Sequence, residues 1–225
     1  MHRGRAALRF AFRHLLVGGC IIAAGATWAQ GRQPPALGEH VCGRISNHFG
    51  PFDYRTVLDK NRLAVELWHF TAPVAALQRG ETSNNIGSDL EYTLKVMPNH
   101  HPALSTLVRL ARRDKTNKPA GMGWSVECFF DRALRIAPDD ARTWAVYADY
   151  LIQLRRTDEA LWAMNHAAQL SPDDGLLAYN LGLVALDLKD SERAMQFARK
   201  AYSSGIDLPG LRSRLQSEGK WRDGP

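Results

Sequence analysis

Three sets of positions recur at a single interval. Ala133, Ala167 and Ala201 stand 34 residues apart, as do Pro138 and Pro172, and Ala160 and Ala194. A fixed period of this size marks one supersecondary unit stacked on copies of itself. A lone helix pair cannot bury its apolar face, whereas neighbouring pairs bury a continuous core. The interval holds two helices of ordinary length and two turns. It therefore predicts an all-α solenoid of antiparallel helix pairs. With 45% hydrophobic and 23% charged residues, the composition is that of an ordinary globular chain.

The signal is clearest in residues 141–172. Trp144 supplies a large residue, Ala148, Ala160 and Ala167 supply small ones, and Pro172 ends the unit. Small residues are needed where two helices cross closely, while Trp144, Leu151 and Met164 fill the gaps. Residues 175–206 repeat the pattern with Leu181, Gly182, Ala194 and Ala201, led by Tyr179-Asn180-Leu181-Gly182. This copy has Ala178 at the large position and Ile206 instead of the proline, departures that suit a terminal repeat. These residues resemble the tetratricopeptide repeat family, and the whole is similar to small exported bacterial proteins of that family. The resemblance implies a right-handed superhelical solenoid.

The remaining chain is less regular. Pro98 to Pro138 spans 40 residues, so residues 99–138 hold a repeat with an insertion at Asp114–Gly123. Its predicted helices are His100–Arg112 and Ser125–Ala137. Residues 63–98 read as a degenerate first repeat. Leu63, Leu67, Phe70, Val74 and Leu77 form an apolar stripe at helical spacing, with a break near Thr71-Ala72 because of Pro73. Ser88 or Asp89 is placed as the cap of the next helix, whose Leu90, Thr93, Leu94 and Met97 face inward. Residues 30–62 read as an irregular arm, in which Val41, Ile45 and Phe49 are spaced as one face of a short helix. Phe52 and Tyr54 read as packed on the domain. Residues 207–225 read as a capping helix and tail, with Leu208, Leu211 and Leu215 inward and Arg212, Arg214, Gln216 and Glu218 outward, since a solenoid ends in a polar face.

The net charge is +6, yet Arg3, Arg5, Arg9 and Arg13 precede any acid, and the rest holds 25 basic against 23 acidic residues. That distribution argues against a nucleic-acid partner. Four arginines followed by the apolar run Leu15–Ala26 read as a secretory signal over residues 1–29, cleaved after Ala26 or Ala29. The run is shorter than the ~20 residues needed to span a bilayer. The expected location is periplasmic or secreted, with no membrane contact after signal removal; the alternative is an inner-membrane anchor. Cys20 falls within the apolar run. Two cysteines then remain, and an oxidising compartment favours a Cys42–Cys128 disulfide stapling the arm to the helical body.

No metalloprotease, nucleophile-elbow, phosphate-loop or paired-thiol motif occurs, and neither a metal nor a cofactor is expected. His100-His101 reads as a helix start. Asp139-Asp140 and Asp173-Asp174 read as helix caps. What the resemblance implies is a non-catalytic protein–protein interaction module whose first helices line a concave groove for a peptide or protein partner in the cell envelope. Carried onto this chain, the groove positions are Ser105, Arg109, Arg112 and Arg113, then Arg142, Ala145, Asp149 and Gln153, then Leu176, Tyr179, Leu183 and Asp187, with Asn180 beside them. They make one end cationic and the other apolar and aromatic. The competing reading is an accessory role in envelope polysaccharide handling or export, with Tyr179 and exposed tryptophans stacking on sugars.

Overall fold

The computed structural model describes residues 31–82 and 84–222, so the expected signal segment lies outside the described residues. Eleven helices and no strand occur among the described residues. They are α1 (Glu39–Cys42), α2 (Asp59–His69), α3 (Ala72–Ala75), α4 (Ile86–Val96), α5 (His101–Asp114), α6 (Val126–Ile136), α7 (Ala141–Gln153), α8 (Thr157–Leu170), α9 (Gly175–Asp187), α10 (Ser191–Ser203) and α11 (Pro209–Ser217). Helices α7 and α8, and α9 and α10, form antiparallel hairpins stacked in order, with α11 closing the C-terminal end. The 34-residue alanines sit at the crossings: Ala133, Ala148, Ala160, Ala167, Ala194 and Ala201 are all fully buried. Gly182 belongs with them, because a Cβ there would lie 2.5 Å from Leu211 Cδ2 of α11.

The first helices begin on side-chain caps. Asp140 accepts from the Arg142 and Thr143 N–H groups of α7, and Asp174 from Leu177 N–H of α9. Each satisfies donors that a helix start leaves open. Ser125 does the same for α6 and Asp190 for α10. At α5 the cap is His100, whose Nδ1 accepts from Ala103 N–H at 3.0 Å while Nε2 lies 3.1 Å from Glu66 Oε1. That pattern fits a neutral ring donating to a carboxylate. Burial lowers the affinity of His100 for a proton, and the bond from His100 holds the Glu66 carboxyl below its ordinary value.

Four expectations are corrected, one of them at α11, where Leu208 precedes the helix and is exposed while only Leu211 and Leu215 face inward. Asp89 does not cap α4; it is fully buried and accepts from Glu81 N–H (2.7 Å) and Thr82 N–H, with His69 Nδ1 at 3.1 Å. It holds the preceding loop against the helix. The arm's helix is only the single turn α1, and Val41 is exposed on it. On α2 the stripe faces the other way: Val65 is buried, whereas Leu63 and Leu67 are 43% and 65% exposed. Polar side chains of α2 take the inner side, because Glu66 and His69 find buried partners there. The expected break falls at Phe70–Thr71, where α3 begins with Pro73 in its first turn.

Outside α1 and the start of α2 the arm is ordered without being helical. It runs back along the second helices, from α8 to α6 to α4. Arg32 N–H donates to Asp158 O at 3.0 Å, and Leu37 and Gly38 N–H share Asp131 Oδ1 of α6. Cys42 is bonded to Cys128 of α6, with Cα atoms 5.0 Å apart. Beside it Arg132, 1% exposed, donates through Nη1 to Cys42 O (3.0 Å) and Arg44 O (2.6 Å). Its guanidinium stacks 4.2 Å from the Trp124 ring centre. The arm then meets the α4 C-terminus, with Phe52 N–H on Val96 O, and Phe52 and Tyr54 pack there as expected. Asn99, fully buried, donates to both Asp53 and the α7 cap Asp140, tying arm, turn and repeat together. Burial would raise the Asp53 carboxyl, but its bonds from Arg55 and Asn99 outweigh that and hold it at about 2.

The inserted loop between α5 and α6 is docked on α4. A Cβ on Gly87 would lie 2.2 Å from Ala120 O, and Gly123 N–H donates to the Glu91 carboxylate. Gly87→Ala is expected to cost about 1–3 kcal/mol by forcing the loop off α4, despite alanine's better helix propensity. Urea denaturation reads it, and unchanged stability refutes the docking. Reduction of Cys42–Cys128 opens a closed loop of 86 residues' separation, a loss of about 4–5 kcal/mol in the chain-entropy description. Denaturation with and without reductant measures it.

Candidate partner-binding groove

The first helices α5, α7 and α9 lie side by side. Between them and α11 runs a groove of about 520 Å³. Its lining comes from His101, Pro102 and Ser105 of α5; Arg142, Ala145, Val146 and Asp149 of α7; Leu176, Leu177, Asn180, Leu183, Val184 and Asp187 of α9; and Arg214 of α11. The three helices contribute at one-turn intervals because each places equivalent residues on the same face. Pro102, Val146, Leu176 and Leu183 give the apolar part.

The charges around it are mutually engaged. Arg142 meets Asp174 at 3.0 Å, Arg112 meets Asp149 at 3.4 Å, and Arg214 meets Asp187 at 2.7 Å. Each bridge joins one first helix to the next, so the row holds the helices in register as well as lining the groove. Burial, with Asp187 across from it, raises the Asp149 carboxyl above its ordinary value, and Arg112 draws it back in part. Burial and the Arg142 charge push His101 down to about 4, against the weaker pull of Asp140 and Asp174.

Of the residues assigned to the groove from sequence, Ser105, Arg142, Ala145, Asp149, Leu176, Asn180, Leu183 and Asp187 line it. Arg109, Arg112, Arg113, Gln153 and Tyr179 do not. Arg109 donates to Ala75 O at 2.6 Å and Arg113 to Leu77 O at 3.0 Å, so both satisfy carbonyls at the end of α3. Arg112 lines an adjoining cavity of about 340 Å³ with Lys115, Thr116, Asn117, Tyr150 and Gln153. Tyr179 is buried, and its hydroxyl lies where a Cβ on Gly210 would come within 2.7 Å. The cationic end expected on α5 is thus largely spent on internal bonds, and the tyrosine packs under the capping helix. Arg214, expected on the outer polar face, lies in the groove instead. Its signal was available, since α11 follows α9 and α10 where the first helix of another repeat would stand.

Among the described residues no three His, Cys, Asp or Glu side chains are grouped to hold a metal ion, and no helix is long and apolar enough to cross a membrane. Residues 177–204, covering most of α9 and α10, match the tetratricopeptide repeat family. The chain carries a tetratricopeptide repeat. No curated protein shows significant similarity to it. The tetratricopeptide repeat is in general a protein–protein interaction module and typically non-catalytic. The resemblance read from residues 141–206 and the all-helical stack of hairpins agree with the match.

The low proton affinity of His101 sets an acid response. Its pKa in the fold is about 4, against 6.5 for an ordinary histidine. The folded state therefore prefers the neutral ring. That contribution is intact above pH 6.5 and is lost as pH falls from 6.5 towards 4. His101→Gln is expected to remove on the order of 2 kcal/mol of the stability lost over that window, read from urea midpoints at pH 7 and pH 4.5. Equal losses in both proteins refute the assignment.

Proposed function

We propose that the chain is a non-catalytic scaffold of the cell envelope that holds a segment of a protein partner in the groove between α5, α7, α9 and α11. The supporting observation is the groove's lining: a central apolar run, Pro102 to Leu183, with Asn180 exposed on its wall and both signs of charge at its rim. An extended or helical segment with apolar side chains and a mixed charge pattern is complementary to it. The arginine-led apolar segment at residues 1–29 supports export, as do the disulfide and the absence of other cysteines in residues 31–225.

The polysaccharide reading loses its principal residue, because the Tyr179 ring is covered and offers no face for sugar stacking. A photo-reactive amino acid at Asn180 is expected to capture a protein adduct of discrete mass in cells, while the same group at Gln196, exposed on α10, captures none. A polydisperse adduct at Asn180 supports the carbohydrate reading. Equal adducts at both positions, or none at Asn180, overturn the groove.

A further inference from the structure

The two ends of the stack are finished differently. At the C-terminal end α11 buries Leu211 and Leu215 and shows a polar outer face. At the N-terminal end α2 is inverted. Glu66 and His69 turn inward onto His100 and Asp89, and Lys60, Leu63, Ala64, Leu67 and Trp68 turn outward. Positions 60, 63, 64, 67 and 68 share one face of a helix. Leu67 and Trp68 are each 65% exposed, and Leu58 beside them is 62% exposed. An apolar stripe of this kind on the outermost first helix among the described residues is the surface that a preceding helix would cover in a longer stack.

We infer that this face is covered by the α2 of a second copy, packed antiparallel in a two-fold dimer. The stripe is self-complementary in that orientation. Turning it end over end sets Leu63 against Trp68 of the partner copy and small Ala64 against large Leu67, which lets the helices approach and interdigitate. Charge selects the same orientation. Lys60 is the one charged residue of the stripe and sits at its N-terminal end. Antiparallel pairing separates the two Lys60 side chains by about 16 Å along the axis and brings each to the carbonyl end of the opposite helix. Parallel pairing would set them side by side. A contact of this type uses the same patch twice and closes, so the assembly stops at two. The grooves on α5, α7 and α9 stay open in both copies, giving a bivalent scaffold.

Sedimentation of the protein recovered from full-length expression tests this. At tens of micromolar the expected mass is twice that of the chain. Leu67→Glu and Trp68→Glu are each expected to halve it and to raise the dissociation constant at least a hundredfold. Both positions are exposed, so helicity and thermal midpoint should be unchanged, which separates lost association from lost folding. A wild-type monomer at that concentration overturns the inference, as does a dimer that survives both substitutions. A monomer that binds anionic lipid vesicles through Leu67 and Trp68 assigns the face to a bilayer instead and equally overturns it.

Discussion

A helical hairpin has one apolar face too many to be stable in water, and the whole molecule is arranged around that surplus. Each hairpin passes the problem to its neighbour, and the neighbour must come close enough to take it. Here closeness is set by alanine. At Ala148, Ala160 and Ala167, and again at Ala194 and Ala201, the side chain is small enough for backbones to approach while Trp144, Leu151 and Met164 occupy the space around them. The caps, the bridges between successive first helices and the groove all presuppose that spacing. A groove lined at one-turn intervals needs helices held at a constant separation, and the separation is a property of the crossings behind it.

This part of the design was legible because it is local and periodic. Spacing located the crossings, and acids after proline located the helix starts at Asp140 and Asp174. What could not be read is where partners are distant in sequence. The stripe on α2 has ordinary spacing, but its direction depends on whether Glu66 and His69 can be satisfied inside. They can, because His100 and Asp89 wait there, and the stripe turns outward. The arginines of α5 were assigned to the groove by position, yet Arg109 and Arg113 are drawn to the open carbonyls of α3, a helix broken by Pro73. Tyr179 is drawn in by packing instead, because α11 stands where the next first helix would and covers it. On α2 and α5, hydrogen-bond accounting between remote groups overrides a correct local periodicity.

The arm shows the same principle on a larger scale. Apart from the single turn of α1 and the turn at Asp53, its backbone makes few internal bonds, so its polar groups must be met by others. Asp131 takes two of its N–H groups, Arg132 takes carbonyls around Cys42, Val96 O takes Phe52 N–H, and Asn99 takes Tyr54 N–H. Arg132 is a costly way to do this, since burial disfavours its charge. It is offset by three backbone carbonyls within reach and the face of Trp124. The arm lies along second helices and reaches the first helices only at their starts, where Tyr54 packs on His100 and His101.

That course has a consequence for cooperativity. Stacked repeats ordinarily interact only with their neighbours, so their stability behaves as a one-dimensional chain and can fray from either end. In this chain Arg32 meets Glu159 across 127 residues, and Cys42 and Asp53 are fastened to α6 and to the α7 cap on the way back. The contacts of one strand thus span the α8, α6 and α4 rows together. A row cannot peel away without breaking its contacts with the arm, so from α4 to α8 the energetic unit is larger than a single repeat. That part of the molecule is expected to melt more cooperatively than a plain stack of repeats, through long-range contacts whose closure slows the search for the native state.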